Sequence, residues 1–226
     1  SSGSIERPLV FGNNDTPGVM LSSAAKEYLK VYGVLVGRKP LVFTNNDSGY
    51  ETAIEFKKHG IDPIILDTRK DPKSEIIDEA KNLGINIKFS HVVVAAQGYK
   101  KVKSADIAKI SDDKEQLGKV ESIKCDCICV SGFWTPTIHL ASQSGNKTKF
   151  KEDIDAFVPG ISKQNETTLG AANGSYVLEE TLKSSFEAGQ ELSKKITNND
   201  NEISFPNVVE KKSTTHDKFW CVPLPE

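Results

Sequence analysis

Three short apolar runs, separated by two amphipathic stretches, constrain this chain more than anything else in it. Pro40-Leu41-Val42-Phe43-Thr44 and Pro63-Ile64-Ile65-Leu66-Asp67 suit strands buried on both faces, and Ile85-Asn86-Ile87-Lys88-Phe89 suits a third strand. Helical spacing fills the gaps, over residues 50–59 up to Gly60 and over residues 72–83 up to Gly84. Strand–helix–strand–helix–strand is the βαβαβ unit of a parallel sheet, whose crossovers are right-handed. Then the helices stop. Residues 92–96, 101–110 and 118–124 read as extended segments, with a turn at Asp112-Asp113-Lys114-Glu115, so an antiparallel meander is expected. Residues 125–130 are apolar again and return to the main sheet. The expected fold is α/β: a Rossmann-like βαβαβ parallel sheet carrying an antiparallel β-meander.

Upstream, Leu21, Ala24, Ala25, Tyr28, Leu29 and Tyr32 recur at three- and four-residue spacing. This predicts an amphipathic helix with Thr16 as N-cap, Pro17 at the first helical position and Gly33 as its stop. Downstream, residues 142–155 are polar, residues 177–195 read as a helix, and residues 197–218 read as a linker by composition.

Apolar residues make up 37% and charged residues 27% of the 226, which excludes a disordered chain, a collagen-like repeat and a disulfide-rich miniprotein. With 29 basic and 31 acidic side chains the net charge is −2, so charge gives no reason to expect nucleic acid or an anionic membrane as partner. No apolar run approaches the roughly 20 residues that span a bilayer, and no signal-peptide pattern opens the chain. Four cysteines, three of them in Cys125-Asp126-Cys127-Ile128-Cys129, do not form a disulfide framework, and a cytoplasmic setting is expected. The only methionine is Met20, and the chain ends on an apolar stretch with prolines. It is read as a fragment.

The chemistry concentrates at the first βα turn. A dinucleotide site needs a tight turn after the strand, backbone that approaches the pyrophosphate, and a helix N-terminus aimed at it. Here the turn is Asn45, Asn46, Asp47 and Ser48, followed by the single glycine Gly49. Asn and Asp tolerate positive φ, so the turn geometry survives, although Asp47 brings negative charge near a pyrophosphate. Asp67 ends the second strand about twenty residues further on, where a carboxylate holds the adenosine ribose and repels a 2′-phosphate. Thr68 and Arg69 follow it, and an arginine there can accommodate such a phosphate. The pair of features favours NAD over NADP; the alternative is a capped βα turn with no ligand.

Cys125, Cys127 and Cys129 would line one face of a strand about 6.5–7 Å apart, unlike the close loop-borne pairs of zinc sites, so they read as buried filler and no metal site is assigned. The histidines His59, His91, His139 and His216 stand in no nucleophile motif, and no catalytic residue is assigned.

Several stretches resemble one family. Arg7-Pro8-Leu9-Val10-Phe11 with Asn14-Asp15-Thr16-Pro17-Gly18-Val19-Met20, the turn Thr44-Asn45-Asn46-Asp47-Ser48, and Val130-Ser131-Gly132-Phe133-Trp134-Thr135-Pro136 are similar to the alpha subunit of heterotetrameric sarcosine oxidase. Ser142-Gln143-Ser144-Gly145 and Gly170-Ala171-Ala172-Asn173-Gly174 extend the resemblance over nearly the whole chain. It implies a flavoprotein with two dinucleotide-binding domains, in which an NAD domain is inserted in an FAD domain that is incomplete here. Residues 1–36 would be the exit from the FAD domain with a connecting helix, 37–132 the NAD-binding domain, 133–196 the return into the FAD domain, and 197–226 a linker towards a folate-binding, aminomethyltransferase-like domain. It further implies cofactor contacts at Gly132, and at Gly170, Ala171, Ala172 and Asn173 on the flavin side. The implied cofactors are NAD, FAD in the full-length parent, and tetrahydrofolate in the missing domain. The implied reaction is oxidative demethylation of sarcosine to glycine, with oxygen and tetrahydrofolate as acceptors and other sarcosine oxidase subunits as partners. Two other readings stay open: a non-catalytic scaffold with a degenerate dinucleotide site, and the equivalent subunit of a related amine or imino-acid dehydrogenase.

Overall fold

The computed structural model describes residues 3–197, 204–205, 208 and 216–223. The chain divides into two compact units, one made of Glu6–Phe133 with Ser213–Glu226, the other of Ser1–Ile5 with Trp134–Lys212.

The chain begins with β1 (Ser4–Glu6), whose first two residues go with the smaller unit. The larger unit then runs β2 (Val19–Leu21), α1 (Ser22–Tyr32), β3 (Pro40–Thr44), α2 (Ser48–Lys58), β4 (Ile64–Asp67), α3 (Glu75–Asn82) and β5 (Asn86–Phe89). Three antiparallel strands follow, β6 (His91–Gln97), β7 (Ser104–Lys109) and β8 (Glu121–Ile123), before β9 (Cys127–Ser131). The main sheet has the order β2-β9-β3-β4-β5 and is parallel throughout, as the apolar runs require.

Alternation along the central strands builds two cores. Leu41, Phe43, Leu66, Ile128 and Val130 face a cluster shared with the meander residues Val92, Val93, Ala105 and Ile107. Val42, Ile65, Cys127 and Cys129 face the helices, against Ala25, Leu29, Tyr50, Ala53, Phe56 and Ile77. Tyr50, Phe43 and Phe56 are fully buried, each worth roughly 1.5–3 kcal/mol of transfer free energy at the usual scale.

Four expectations change. The first helix does not start at Pro17: residues 19–21 extend to pair with β9, and α1 begins at Ser22 with Leu21 at the cap position and no side-chain cap. A parallel neighbour with a full ladder outweighs the local helix-start signal. Gly33 does close the helix, at φ 64°, but Tyr28 and Tyr32 are exposed. The boundary expected after residue 36 therefore falls inside the larger unit, since β2 and α1 belong to it. Next, the three thiols do not share a face. Cys125 precedes β9 and joins the meander-side core, while Cys127 and Cys129 point at the helices with their Sγ atoms 3.6 Å apart. All three are free and buried, and burial pushes the Cys125 thiol up to about 12. Finally, the linker expected over 197–226 falls largely outside the described residues, but Phe219 and Val222 are buried in the meander-side core. Apolar side chains there outweigh the polar run before them.

The smaller unit contains β10 (Trp134–Pro136), which pairs with β1, then α4 (His139–Gln143), β11 (Thr148–Lys151), β12 (Ala156–Pro159) and α5 (Leu178–Thr197). The polar stretch 142–155 turns out to hold half of the antiparallel β11–β12 hairpin, closed across its face by Phe150 and Phe157 with ring centroids 5.2 Å apart. A 3-10 turn, Gly170–Asn173, precedes α5.

Candidate functional site

In an open parallel sheet, ligands lie outside the carboxyl ends of the strands. Here those ends are Thr44 of β3, Asp67 of β4 and Ser131 of β9, in register with one another. The turn after β3 is built by its own polar side chains. Thr44 Oγ1 donates to the Asn46 carbonyl at 2.9 Å and accepts the Asn46 amide at 3.1 Å. Asn46 Nδ2 donates to Asn45 Oδ1 at 2.9 Å and to the Ser131 carbonyl at 3.0 Å. Its Oδ1 accepts the Ser48 amide at 2.8 Å and the Ser48 hydroxyl, so the helix N-terminus where a phosphate would dock already holds an amide oxygen. Gly49 is required at the first turn of α2, because a Cβ there would lie 2.6 Å from Thr44 Cβ.

Asp67 is fully buried and bound on every side that matters. Tyr50 donates its phenol to Oδ2 at 2.6 Å, and the Arg69 amide donates to Oδ1 at 2.9 Å. The Arg69 guanidinium reaches Asp67 Oδ1 with Nε at 3.0 Å and Oδ2 with Nη2 at 2.8 Å, and holds Asp47 Oδ1 with Nη1 at 2.8 Å. Burial works against the Arg69 charge, but the hydrogen bonds and charge of Asp67, then of Asp47, raise its pKa above the ordinary arginine range. Burial, then the Asp67 charge, likewise pushes the Tyr50 phenol far above its ordinary value. One guanidinium thus neutralises the two carboxylates that the sequence reading places beside a ribose and a pyrophosphate.

A second layer covers this end. Residues 216–219 run over the turn: Asn45 Nδ2 donates to the carbonyls of Asp217 at 2.9 Å and Phe219 at 3.0 Å, and the Asp217 amide donates to the Asn45 carbonyl at 2.8 Å. Asp217 Oδ2 accepts from Thr68 Oγ1 at 3.3 Å and pairs with Lys114 Nζ at 3.0 Å. Asn45, Asn46, Asp47, Asp67, Thr68 and Arg69 are all buried, and Ser48 is half-buried. The residues present do not fit NAD: a ribose hydroxyl finds no accessible carboxylate, and the Ser48 amide at the start of α2 is already bonded to Asn46 Oδ1. Gly132 is buried too, for another reason. A Cβ on it would sit 2.8 Å from the Pro8 carbonyl, so it serves close packing of the Arg7–Pro8 backbone.

The remaining predicted positions lie in the smaller unit. Gly170, at φ 67°, and Ala172 are buried, whereas Ala171 is half-buried and Asn173 exposed. A Cβ on Gly170 would meet Thr181 of α5 at 3.2 Å, so the turn is packed against that helix with Ala171 and Asn173 left at the surface. Sequence reasoning missed Tyr50 and the segment 216–222; the signal for the latter is the cluster Phe219, Trp220 and Val222.

No family model matches the chain. The sarcosine oxidase subunit alpha of Corynebacterium sp. strain P-1 is 34% identical over 176 residues, which are 77% of this chain and 18% of that protein. Its counterpart from Rhizobium meliloti strain 1021 is 36% identical over 180 residues, 76% of this chain and 16% of that protein. The chain is homologous to a segment of the sarcosine oxidase alpha subunit. It spans less than a fifth of the length of these curated relatives. Among solved structures, L-proline dehydrogenase from P. horikoshii superposes with a TM-score of 0.52 at 21% identity, covering 86% of this chain and 33% of that one. Lactococcus lactis thioredoxin reductase gives 0.64 at 15% identity, covering 87% and 64%. These likenesses show the fold alone, an α/β architecture that combines a parallel sheet with antiparallel strands. Among the described residues, no helix is long and apolar enough to cross a membrane.

Proposed function

We propose that this chain is the part of a flavin-dependent sarcosine oxidase alpha subunit that carries an NAD-type α/β unit inserted in the sequence of an incomplete FAD-type unit, and that the inserted unit works there as a scaffold without NAD at its strand tips. The assembly oxidatively demethylates sarcosine to glycine in the cytoplasm, together with other subunits, with oxygen as electron acceptor and tetrahydrofolate as one-carbon acceptor. This segment supplies no catalytic residue. Its flavin-side contact is the Gly170–Asn173 turn, where Ala171 and Asn173 keep accessible surface. Homology over three-quarters of the chain supports the family reaction. The observation that carries the scaffold role is the Arg69 guanidinium bridging Asp47 and Asp67, both at 2.8 Å, beneath a covering segment. The full-length subunit, purified with its partner subunits, tests both parts. Sarcosine added without oxygen should bleach the flavin absorbance, and oxygen should restore it. Reduction by proline and not by sarcosine would overturn the substrate, and NAD copurifying one per subunit and lost in Asp67→Ala would overturn the scaffold role.

A further inference from the structure

We infer that the crevice at the carboxyl ends of β9, β3 and β4 is a peptide groove, and that its resident ligand is this chain's own segment 216–222. The inference rests on the reading that the unit takes no dinucleotide there, and it names what the crevice holds instead. The segment is recognised along its whole length. At its start, the His216 ring stacks on Phe133 with centroids 4.0 Å apart and planes 4° from parallel. Next, the backbone of Asp217 and Phe219 is read by both polar ends of Asn45, the carbonyl and the side-chain amide. The Asp217 carboxylate then sits between Thr68 Oγ1 and Lys114 Nζ, an anion held at the tip of the strand beside the turn. Trp220 lies under the Arg7 guanidinium, 3.5 Å from ring centroid to Cζ. Finally the segment forms one parallel β-bridge between Val10 and Cys221: the Val10 amide donates to the Trp220 carbonyl at 2.8 Å, and the Val222 amide to the Val10 carbonyl at 2.9 Å. Phe219 and Val222 are anchored in the meander-side core with Leu9 and Phe11.

This combination is the recognition of an extended peptide, with backbone hydrogen bonds giving affinity and side-chain contacts giving register. Two features show that the groove is made for a peptide. Asn45, at the position of the dinucleotide turn, uses its amide as a double donor to peptide carbonyls. The extended stretch that receives the segment, residues 9–12, is itself held at its far end by Gly12, whose amide donates to the Val94 carbonyl at 2.9 Å and whose carbonyl accepts the Ala96 amide at 2.9 Å. A Cβ at Gly12 would lie 3.0 Å from Ala95 Cβ, so this stretch needs glycine to approach the meander. Because groove and ligand share one chain, closure is intramolecular.

Amide hydrogen exchange on the whole chain tests the proposal. In the wild type, the amides of Val10, Asp217 and Val222 should be protected together. Phe219→Ala should speed all three at least tenfold while amides inside β3 and β4 stay within threefold of wild type. Asp217→Asn, which keeps shape and removes only the charge held by Lys114, gives a smaller joint acceleration and guards against outright unfolding of the first variant. Unprotected amides in the wild type, unchanged rates in both variants, or acceleration of one amide alone would overturn the peptide groove. So would loss of their protection on adding millimolar NAD, because a dinucleotide would then be displacing the segment. Failure of the scaffold reading looks different: NAD binds the wild type while these three amides keep their protection.

Discussion

Two turns in this chain were expected to touch a cofactor, and they differ in how far their own side chains seal them. The turn after β3, residues 44–48, is sealed: its amides and carboxamides satisfy one another, Arg69 bridges its Asp47 to Asp67, and segment 216–219 lies across it. The 3-10 turn Gly170–Asn173 packs against α5 through Gly170, with Ala172 buried and Asn173 exposed. A glycine-poor turn whose polar side chains hydrogen-bond inward is a self-satisfied structure, and the local spacing of charges does not distinguish it from a ligand site. What distinguishes it is the partner of each carboxylate.

The largest expected effect comes from removing that partner. Arg69→Ala leaves Asp47 and Asp67 buried without a cation and should cost about 3–5 kcal/mol in chemical denaturation. A cost below about 1 kcal/mol would mean that water reaches the pair. Next, adding a methyl group probes the tightness of each turn. Gly49→Ala places a Cβ 2.6 Å from Thr44 and should cost about 1–3 kcal/mol through overpacking, whereas Gly170→Ala should cost about 1–2 kcal/mol through its φ of 67°. Denaturant midpoints for the two variants check the order.

The fold was largely legible because buried parallel strands write themselves as continuous apolar runs. Pro40–Thr44, Ile64–Asp67 and Asn86–Phe89 fell where the runs lie, and the return through Cys127–Ser131 followed the same rule. Val19–Leu21 was not legible, since an edge strand of three residues is set by its β9 neighbour and its own sequence carries a helix start. The site residues were legible as a group: Asn45, Asn46, Asp47 and Asp67 do converge at the strand ends. Their roles were not, because a carboxylate held by Arg69 and one free to meet a ligand read the same in sequence. Tyr50 reads as helix filler until its hydroxyl is seen on Asp67, and Asp217 lies 172 residues from the Asn45 side chain that binds its carbonyl.

A smaller effect comes from Glu6, a third buried carboxylate of the same unit, which accepts the Ser23 amide at 2.8 Å. Burial raises its pKa, and the hydrogen bonds from Ser23 offset this only in part. As pH rises from the unfolded value of 4.5, the unfolded chain ionises first, so the folded state loses stability until its own raised pKa is passed. Glu6→Gln should remove that loss and flatten stability just above pH 4.5; an unchanged slope would show that Glu6 is not its source. The smallest effect belongs to the 3-10 turn, where Asn173→Ala should change stability by less than about 0.5 kcal/mol.

Calorimetric titration of NAD into the whole chain, beside the same titration into Asp67→Ala, probes the sealed turn most directly. The expected result is no saturable heat in either protein, since Asp67 already belongs to Tyr50 and Arg69. A stoichiometric, saturable heat in the wild type that Asp67→Ala abolishes would contradict it.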